Sequence, residues 1–289
     1  MDEQTQASSV GVIKEMTEAD FRRLSEFIYR ECGIKLEIGK KYLLQGRLQK
    51  RMRVLNLATY RDYSEYLFST EGQQSELPHM IDAVTTNKTD FFREPDHFDY
   101  LIQKALPELI QKKEPQERRR TFIWSAGCSS GEEPYTLAMV LSEFKAVNQP
   151  FDFLVLATDI SNTILEKARL GIYDESRVVP VPSAMKKKYL LRSKDRTSSM
   201  VRVAPDVRSK VKFAWLNFME EFPIKDLFKV IFCRNVVIYF DRPTQEKLIQ
   251  KFYRQLVPGG YLFMGHSETL TGLDVGFYQA APTIYRKPL

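Results

Sequence analysis

The chain has 289 residues, 43% of them apolar and 28% charged, with a formal net charge of +6. That composition fits a globular protein of one or two domains with a buried core and excludes collagen-like and disordered chains. The absence of any run of 18 apolar residues excludes a transmembrane helix, and the cationic excess points to an acidic partner such as nucleic acid, an anionic membrane or an acidic protein surface.

Residues 1–14 are expected to form a flexible tail, and the polar, acidic start MDEQTQASSV lacks a signal-peptide core, so a cytosolic protein is expected. From Thr17 the pattern is helical. Thr17 and Asp20 read as a capping box, and Phe21, Leu24 and Ile28 form an apolar stripe that stops at Gly33. A second helix over about 39–55 carries Leu44, Leu48, Met52 and Leu55 on one side. Lys40, Arg47, Lys50, Arg51 and Arg53 occupy the other, with no acid between Lys40 and Arg53. Thr59 and Asp62 start a third helix that runs through Leu67, and a fourth is expected over 75–86. No strand pattern precedes about residue 120, so residues 15–85 are expected to be a helical domain with one strongly basic face.

The segment TTNKTDFFREP (85–95) joins this domain to the next, followed by a helix from Pro95 to about Lys112 and a charged loop, KKEPQERRR. Strands and helices then alternate. Strands are expected at 121–125, 153–158, 211–216, 229–234 and 260–264, and helices at 133–146, 161–170 and 243–256. This alternation predicts a mainly parallel sheet with helices on both faces over 86–289. Residues 178–210 break it with a helix (Pro182 to Leu191), a polar turn and the short strand MVRV, which reads as an inserted β element. The final YQAAPTIYRKPL supplies an antiparallel edge strand.

Chemistry is densest at TFIWSAGCSSGEEPY (121–135), a strand, a tight turn and a helix start. Gly127 and Gly131 can adopt positive φ and let a ligand approach the main chain. The acids Glu132 and Glu133 behind the turn would repel phosphate, so the turn points away from NAD and ATP, towards a cofactor with hydroxyls or a positive centre. Asp159, ending the second strand, is placed to accept hydrogen bonds from ribose hydroxyls; the plainer reading is a turn or capping aspartate. Asn217 either meets an adenine edge or caps a loop. Arg234, Asn235 and Tyr239 follow the fourth strand, where substrates border doubly wound sheets. In the linker, Asn87, Thr89 and Arg93 surround Phe91-Phe92, with Arg93 either facing an anion in a cleft or solvated. Cys32, Cys128 and Cys233, like His79, His97 and His266, are scattered along the chain, so no disulfide framework and no metal site are expected.

The motifs NKTDFFRE, SAGCSSGEEPY, ATDIS, CRNVVIYF and GHSE, in this order, resemble those of CheR, the chemotaxis receptor glutamate methyltransferases. The resemblance implies a class I S-adenosylmethionine-dependent (Rossmann-like) fold, an N-terminal all-helical domain and an inserted antiparallel β subdomain. It implies that S-adenosylmethionine contacts Asn87, Thr89, Arg93, Glu133, Asp159, Asn217, Phe218, Arg234 and Asn235, leaving S-adenosylhomocysteine as product. Arg93 and Tyr239 would lie beside the methyl-transfer site. The acceptor would be glutamate side chains on receptor helices, with Arg47, Lys50, Arg51 and Arg53 docking along these acidic helices. The first turn departs from the GxGxG of many other methyltransferases, as is usual in this family. A receptor C-terminal peptide would dock at the β subdomain, although the loop RSKDRTSS lacks the glycine of relatives that do so. The protein is then expected to be a cytoplasmic monomer recruited to membrane receptor arrays, neither inserting in the membrane nor binding nucleic acid. Two other readings are a nucleic-acid methyltransferase and a non-catalytic module that senses the cofactor. Against the former, Arg234-Asn235-Val236-Val237 replaces the Asn/Asp-Pro-Pro-aromatic turn of amino-directed enzymes.

Overall fold

Thr17 begins the first helix, α1 (Glu18–Cys32), with both halves of the capping box formed, and Gly33 ends it at φ 73. A capping interaction of this kind is worth about 1 kcal/mol. The computed structural model describes residues 13–111, 120–195 and 197–289, so the expected tail up to residue 12 and the charged loop except Arg120 lie outside the described residues. The chain divides into two units, ending at Thr86 and beginning at Asn87.

The first unit continues with a 3-10 turn (Ile38–Lys40), α2 (Lys41–Val54), α3 (Tyr60–Phe68), α4 (Thr70–Ser75) and α5 (Leu77–Val84). Leu44, Leu48 and Met52 bury the apolar stripe of α2. The helix expected over 75–86 is α5, and the short α4 before it was not expected: Ser69 caps its start by accepting from Gly72 N, and the chain restarts at Leu77-Pro78.

In the second unit α6 (Pro95–Tyr100) runs through a π-turn (Leu101–Ala105) into α7 (Leu106–Gln111). There follow β1 (Thr121–Ala126), α8 (Glu132–Val147), β2 (Phe153–Asp159), α9 (Asn162–Leu170), β3 (Ile172–Asp174) and a 3-10 turn (Glu175–Val178). Then come α10 (Ser183–Tyr189), β4 (Leu190–Arg192), β5 (Met200–Val203), α11 (Pro205–Arg208) and β6 (Val211–Trp215). The chain ends with β7 (Phe228–Cys233), a 3-10 turn (Val237–Tyr239), α12 (Arg242–Gln255), β8 (Leu256–Met264), β9 (Tyr278–Ala281) and β10 (Ile284–Arg286). Among the described residues no helix is long and apolar enough to cross a membrane.

The large sheet has the order β6-β2-β1-β7-β8-β10-β9. Its first five strands are parallel; β10 pairs antiparallel with β8, and β9 pairs antiparallel with β10 at the sheet's edge. Side chains alternate across the pleat, so successive residues enter different cores. Ile123, Val230 and Phe232 join the core under α7, α8 and α9, whereas Trp124, Ile231 and Cys233 join that under α12. Burial on both faces explains why β1 and β7 read as continuous apolar runs. The order reverses between β1 and β7, which opens a crevice at their carboxyl ends.

The small sheet has the order β3-β5-β4. Its insertion therefore starts before residue 178. Ile172–Asp174 pairs antiparallel with Met200–Val203, with Tyr173 opposite Val201. Three residues straight after α9 were too short a run to read as a strand.

Candidate cofactor and substrate site

The turn after β1 is built for close packing. Gly127 has φ 81, and a Cβ there would lie 2.5 Å from Val236 Cγ2. Gly131 has φ 96, and its Cβ would lie 2.9 Å from the Tyr173 hydroxyl oxygen and 3.0 Å from Ala168 Cβ. The side on which a Cβ would lie is thus occupied by protein, which by itself requires glycine at both positions.

Asp159 ends β2 in the crevice and is 8% exposed. Its Oδ2 accepts from Ser129 N at 2.8 Å and its Oδ1 from Ser161 N at 3.0 Å. Two backbone donors stabilise the ionised form and fix the carboxylate's direction.

The acidic pair is not a patch of bare negative charge. Glu133 Oε1 accepts from Ser125 Oγ at 2.7 Å, and Glu133 Oε2 accepts from Arg234 Nε at 2.7 Å. Glu132 accepts from Arg177 Nη2 and Ser130 Oγ, both at 2.6 Å. Each acid is matched by an arginine brought from elsewhere in the chain. The pair therefore carries no uncompensated charge with which to repel phosphate, contrary to expectation.

Arg234 is the centre of the site, with only 7% exposed. Besides Glu133, its Nη1 donates to Arg93 O at 2.6 Å and lies 3.4 Å from Glu94 Oε2 and from His97 Nδ1. The guanidinium also lies over the rings of Phe98 and Phe232. His97 is buried with Nε2 2.9 Å from Thr283 Oγ1. Burial, and then the Arg234 charge, lower its pKa to about 4, so it is neutral at pH 7. The histidines are not all scattered: His97 and His266 stack edge to face, and their nitrogens lie with a Glu94 oxygen within 4.8 Å of one another. Sequence separation hid this, because α6 and the end of β8 meet only in the folded sheet. Arg234 places its own positive charge against that group.

The linker is fastened to the turn. Ser129 Oγ donates to Asn87 O at 3.0 Å, and Arg177 Nη2 donates to Thr89 O at 2.5 Å. Phe91 is buried against Tyr173 in the second unit's core. Arg93 is half-buried, two residues before α6, with Nη1 3.3 Å from Lys88 O. On the other side, Leu216 N donates to Asp159 O at 3.0 Å, bringing buried Asn217 beside β2, where its Oδ1 accepts from Met219 N. Hydrogen bonds thus form three groups about the turn: Asn87 O with Ser129 and Asp159, Thr89 O with Arg177 and Glu132, and Arg93 O with Arg234 and Glu133. Phe218 is different: its ring packs on Phe222 and Phe252 in the core under α12. Asn235 has φ 60, and Tyr239 is half-buried in the turn that follows.

Sequence reasoning missed Glu268. It is 5% exposed and accepts backbone hydrogen bonds from Asn235, Gly265, Val237 and Ile238. The available signal was an acid three residues past a glycine at the end of an apolar strand, in GHSE.

The expected receptor-docking set divides. Arg51 forms a two-bond ion pair with Glu76, Nε to Oε1 at 2.9 Å and Nη2 to Oε2 at 2.6 Å, and Glu76 is 1% exposed. Arg47 donates to Val84 O and Thr86 Oγ1. These two arginines fasten α2 to α5, so they do not belong to an open basic face; Lys50 and Arg53 are exposed.

A mainly parallel sheet in this order, with an acid ending its second strand beside a glycine turn, defines a class I S-adenosylmethionine-dependent methyltransferase. Residues 87–285 match the CheR methyltransferase SAM binding domain and residues 19–85 the CheR methyltransferase all-alpha domain. The chain belongs to the CheR methyltransferase family. A chemotaxis protein methyltransferase of Borreliella burgdorferi is 41% identical over 274 residues, 94% of this chain and 95% of that protein. A probable chemotaxis protein methyltransferase of Rhizobium etli is 42% identical over 245 residues, 85% and 90% of the two chains. That of Escherichia coli is 37% identical over 273 residues, 93% and 91%. The nucleic-acid and cofactor-sensing readings are not favoured by these matches.

Proposed function

We propose that the chain methylates glutamate side-chain carboxylates on the cytoplasmic helices of chemotaxis receptors, giving methyl esters. The observation that carries this reading is the crevice where the strand order reverses, with Asp159 held by two backbone donors and Glu133 neutralised by Arg234. The donor set fits S-adenosylmethionine. Asp159 would accept from ribose hydroxyls, Asn217 would meet the adenine, and the Glu133–Arg234 pair, with Asn87, Thr89 and Asn235, would face the zwitterionic end. The bound cofactor supplies an electrophilic methyl group on a sulfonium.

A glutamate acceptor, with a reference pKa of about 4.3, is already ionised at neutral pH. No general base is needed. Charge falls as an anion and a cation combine, so a tight arginine clamp would stabilise the ground state more than the transition state. Arg93 and Tyr239 therefore serve to orient the two reactants, and alignment with exclusion of water supplies most of the acceleration. Lys50 and Arg53, exposed on α2, would steer the acidic receptor helix. The short edge strands β3 and β4 of the small sheet suit addition of a receptor C-terminal peptide as a further strand, which would recruit the enzyme to receptor arrays.

The test is incubation with methyl-labelled S-adenosylmethionine and purified receptor cytoplasmic domains, with Arg93→Ala as control. Base-labile label released as methanol marks carboxyl esters. A wild-type chain that binds the cofactor and labels no receptor, or leaves only base-stable label, refutes the proposal.

A further inference from the structure

After β7 the chain leaves the sheet as Arg234-Asn235-Val236 and folds at once into the 3-10 turn Val237–Tyr239. Asn235 sits at φ 60, in the left-handed region that asparagine tolerates better than most residues other than glycine. The turn has no side-chain cap from its own first residue, since Val236 has no acceptor to offer. The Glu268 carboxylate supplies what the local sequence lacks. Oε2 accepts Asn235 N at 2.8 Å and Gly265 N at 2.7 Å, while Oε1 accepts Val237 N at 2.7 Å and Ile238 N at 3.2 Å. Both edges of one buried carboxylate thus hold the loop through its main chain. Gly265 makes the approach possible: a Cβ there would lie 2.5 Å from Asn235 Nδ2 and 2.9 Å from Asn235 N. The same segment is anchored on its other side, where His266 N donates to Glu94 Oε1 at 3.2 Å.

We propose that Glu268 is a positioning residue for methyl transfer, its carboxylate fixing the Asn235–Tyr239 turn so that Tyr239 keeps the orientation the reaction needs. This rests on the methyl-transfer reading above and adds a group that acts through Tyr239, away from the reacting atoms. A glutamine in its place fills the same volume but turns an NH2 towards two N–H donors, so one edge of the grip is lost. A shift of the turn by about 1 Å is enough to lower turnover by about a hundredfold.

The experiment compares Glu268→Gln, Tyr239→Phe and the double variant on receptor domains. Each kcat is divided by the number of sites that bind S-adenosylhomocysteine, counted by calorimetry. Glu268→Gln should lower this normalised kcat by about tenfold to a hundredfold and leave the receptor KM within about twofold. The double variant should fall no more than about twofold below the weaker single variant, because both changes act through one side chain. An unchanged kcat, multiplicative losses, or a loss that vanishes on normalisation would overturn the inference. If Glu268→Gln does not fold, Glu268→Asp, which keeps the charge but shortens the reach, is compared with Tyr239→Phe in the same way, and independent losses overturn it equally. An active wild type with an unaffected variant refutes this inference alone, whereas a wild type that methylates no receptor refutes the underlying reading and this inference with it.

Discussion

Asp159 and Glu133 are buried acids a few residues from the same turn, and their partners give them different tasks. Asp159 is held by backbone N–H groups, which orient it without neutralising it. Asp159→Asn keeps the shape and loses the charge, so cofactor Kd should rise by about tenfold to a hundredfold, a difference calorimetry reads directly. Unaltered affinity would remove Asp159 from the ribose role. Glu133 shares its charge with Arg234, and both are nearly inaccessible. Arg234→Ala leaves Glu133 buried without its cation and should cost about 3–5 kcal/mol of stability, seen as a lower urea midpoint at unchanged slope. The acid itself was visible in the sequence. Its partner, 101 positions away, was not, because a pair between the start of α8 and the end of β7 has no local signal.

At the scale of elements, α2 shows how one run of cations is divided by packing. Arg51 lies on the side that meets α5 and pairs with an almost inaccessible glutamate, whereas Lys50 and Arg53 face outward. Arg51→Ala should therefore destabilise the helical unit by about 3 kcal/mol, read from thermal or urea unfolding. Lys50→Glu with Arg53→Glu should change stability by about 0.5 kcal/mol or less and raise the receptor KM several-fold with cofactor affinity intact. Unchanged receptor kinetics would remove the docking role. The capping box at Thr17, the stripe of α1 and the strands of the large sheet were legible because they depend on neighbours in sequence. The division of the basic run was not, since a helical pattern says which residues share a face and not what acid waits opposite. The strand Ile172–Asp174 was missed for a related reason: three residues carry no periodicity, and pairing with β5 alone makes them a strand.

Across the whole molecule, α6, β7 and the end of β8 converge on Arg234, His97 and Glu268. That convergence gives a pH dependence. His97 is depressed to about 4, first by burial and then by Arg234. The unfolded chain takes up this proton near 6.5. The stability tied to neutral His97 is thus complete above about pH 6.5 and is lost as pH falls towards about 4. The unfolding midpoint should decline over that range, and the His97 imidazole should titrate near the bottom of it by NMR; a titration near 6.5 would contradict the burial argument. Local sequence alone was enough for the helical region before the strands, the parallel alternation, the glycine turn and the acid that ends the second strand. All are encoded by residues close together in the chain, where sterics and hydrophobic period act directly. Tertiary contacts set the rest: Arg177 and Arg234 neutralise the two acids behind the turn, Arg47 and Arg51 of the basic helix are tied to α5 and the residues flanking it, and Glu268 holds the Tyr239 turn. Those outcomes come from charges buried against partners many positions away, and only the completed sheet brings them within reach of a hydrogen bond.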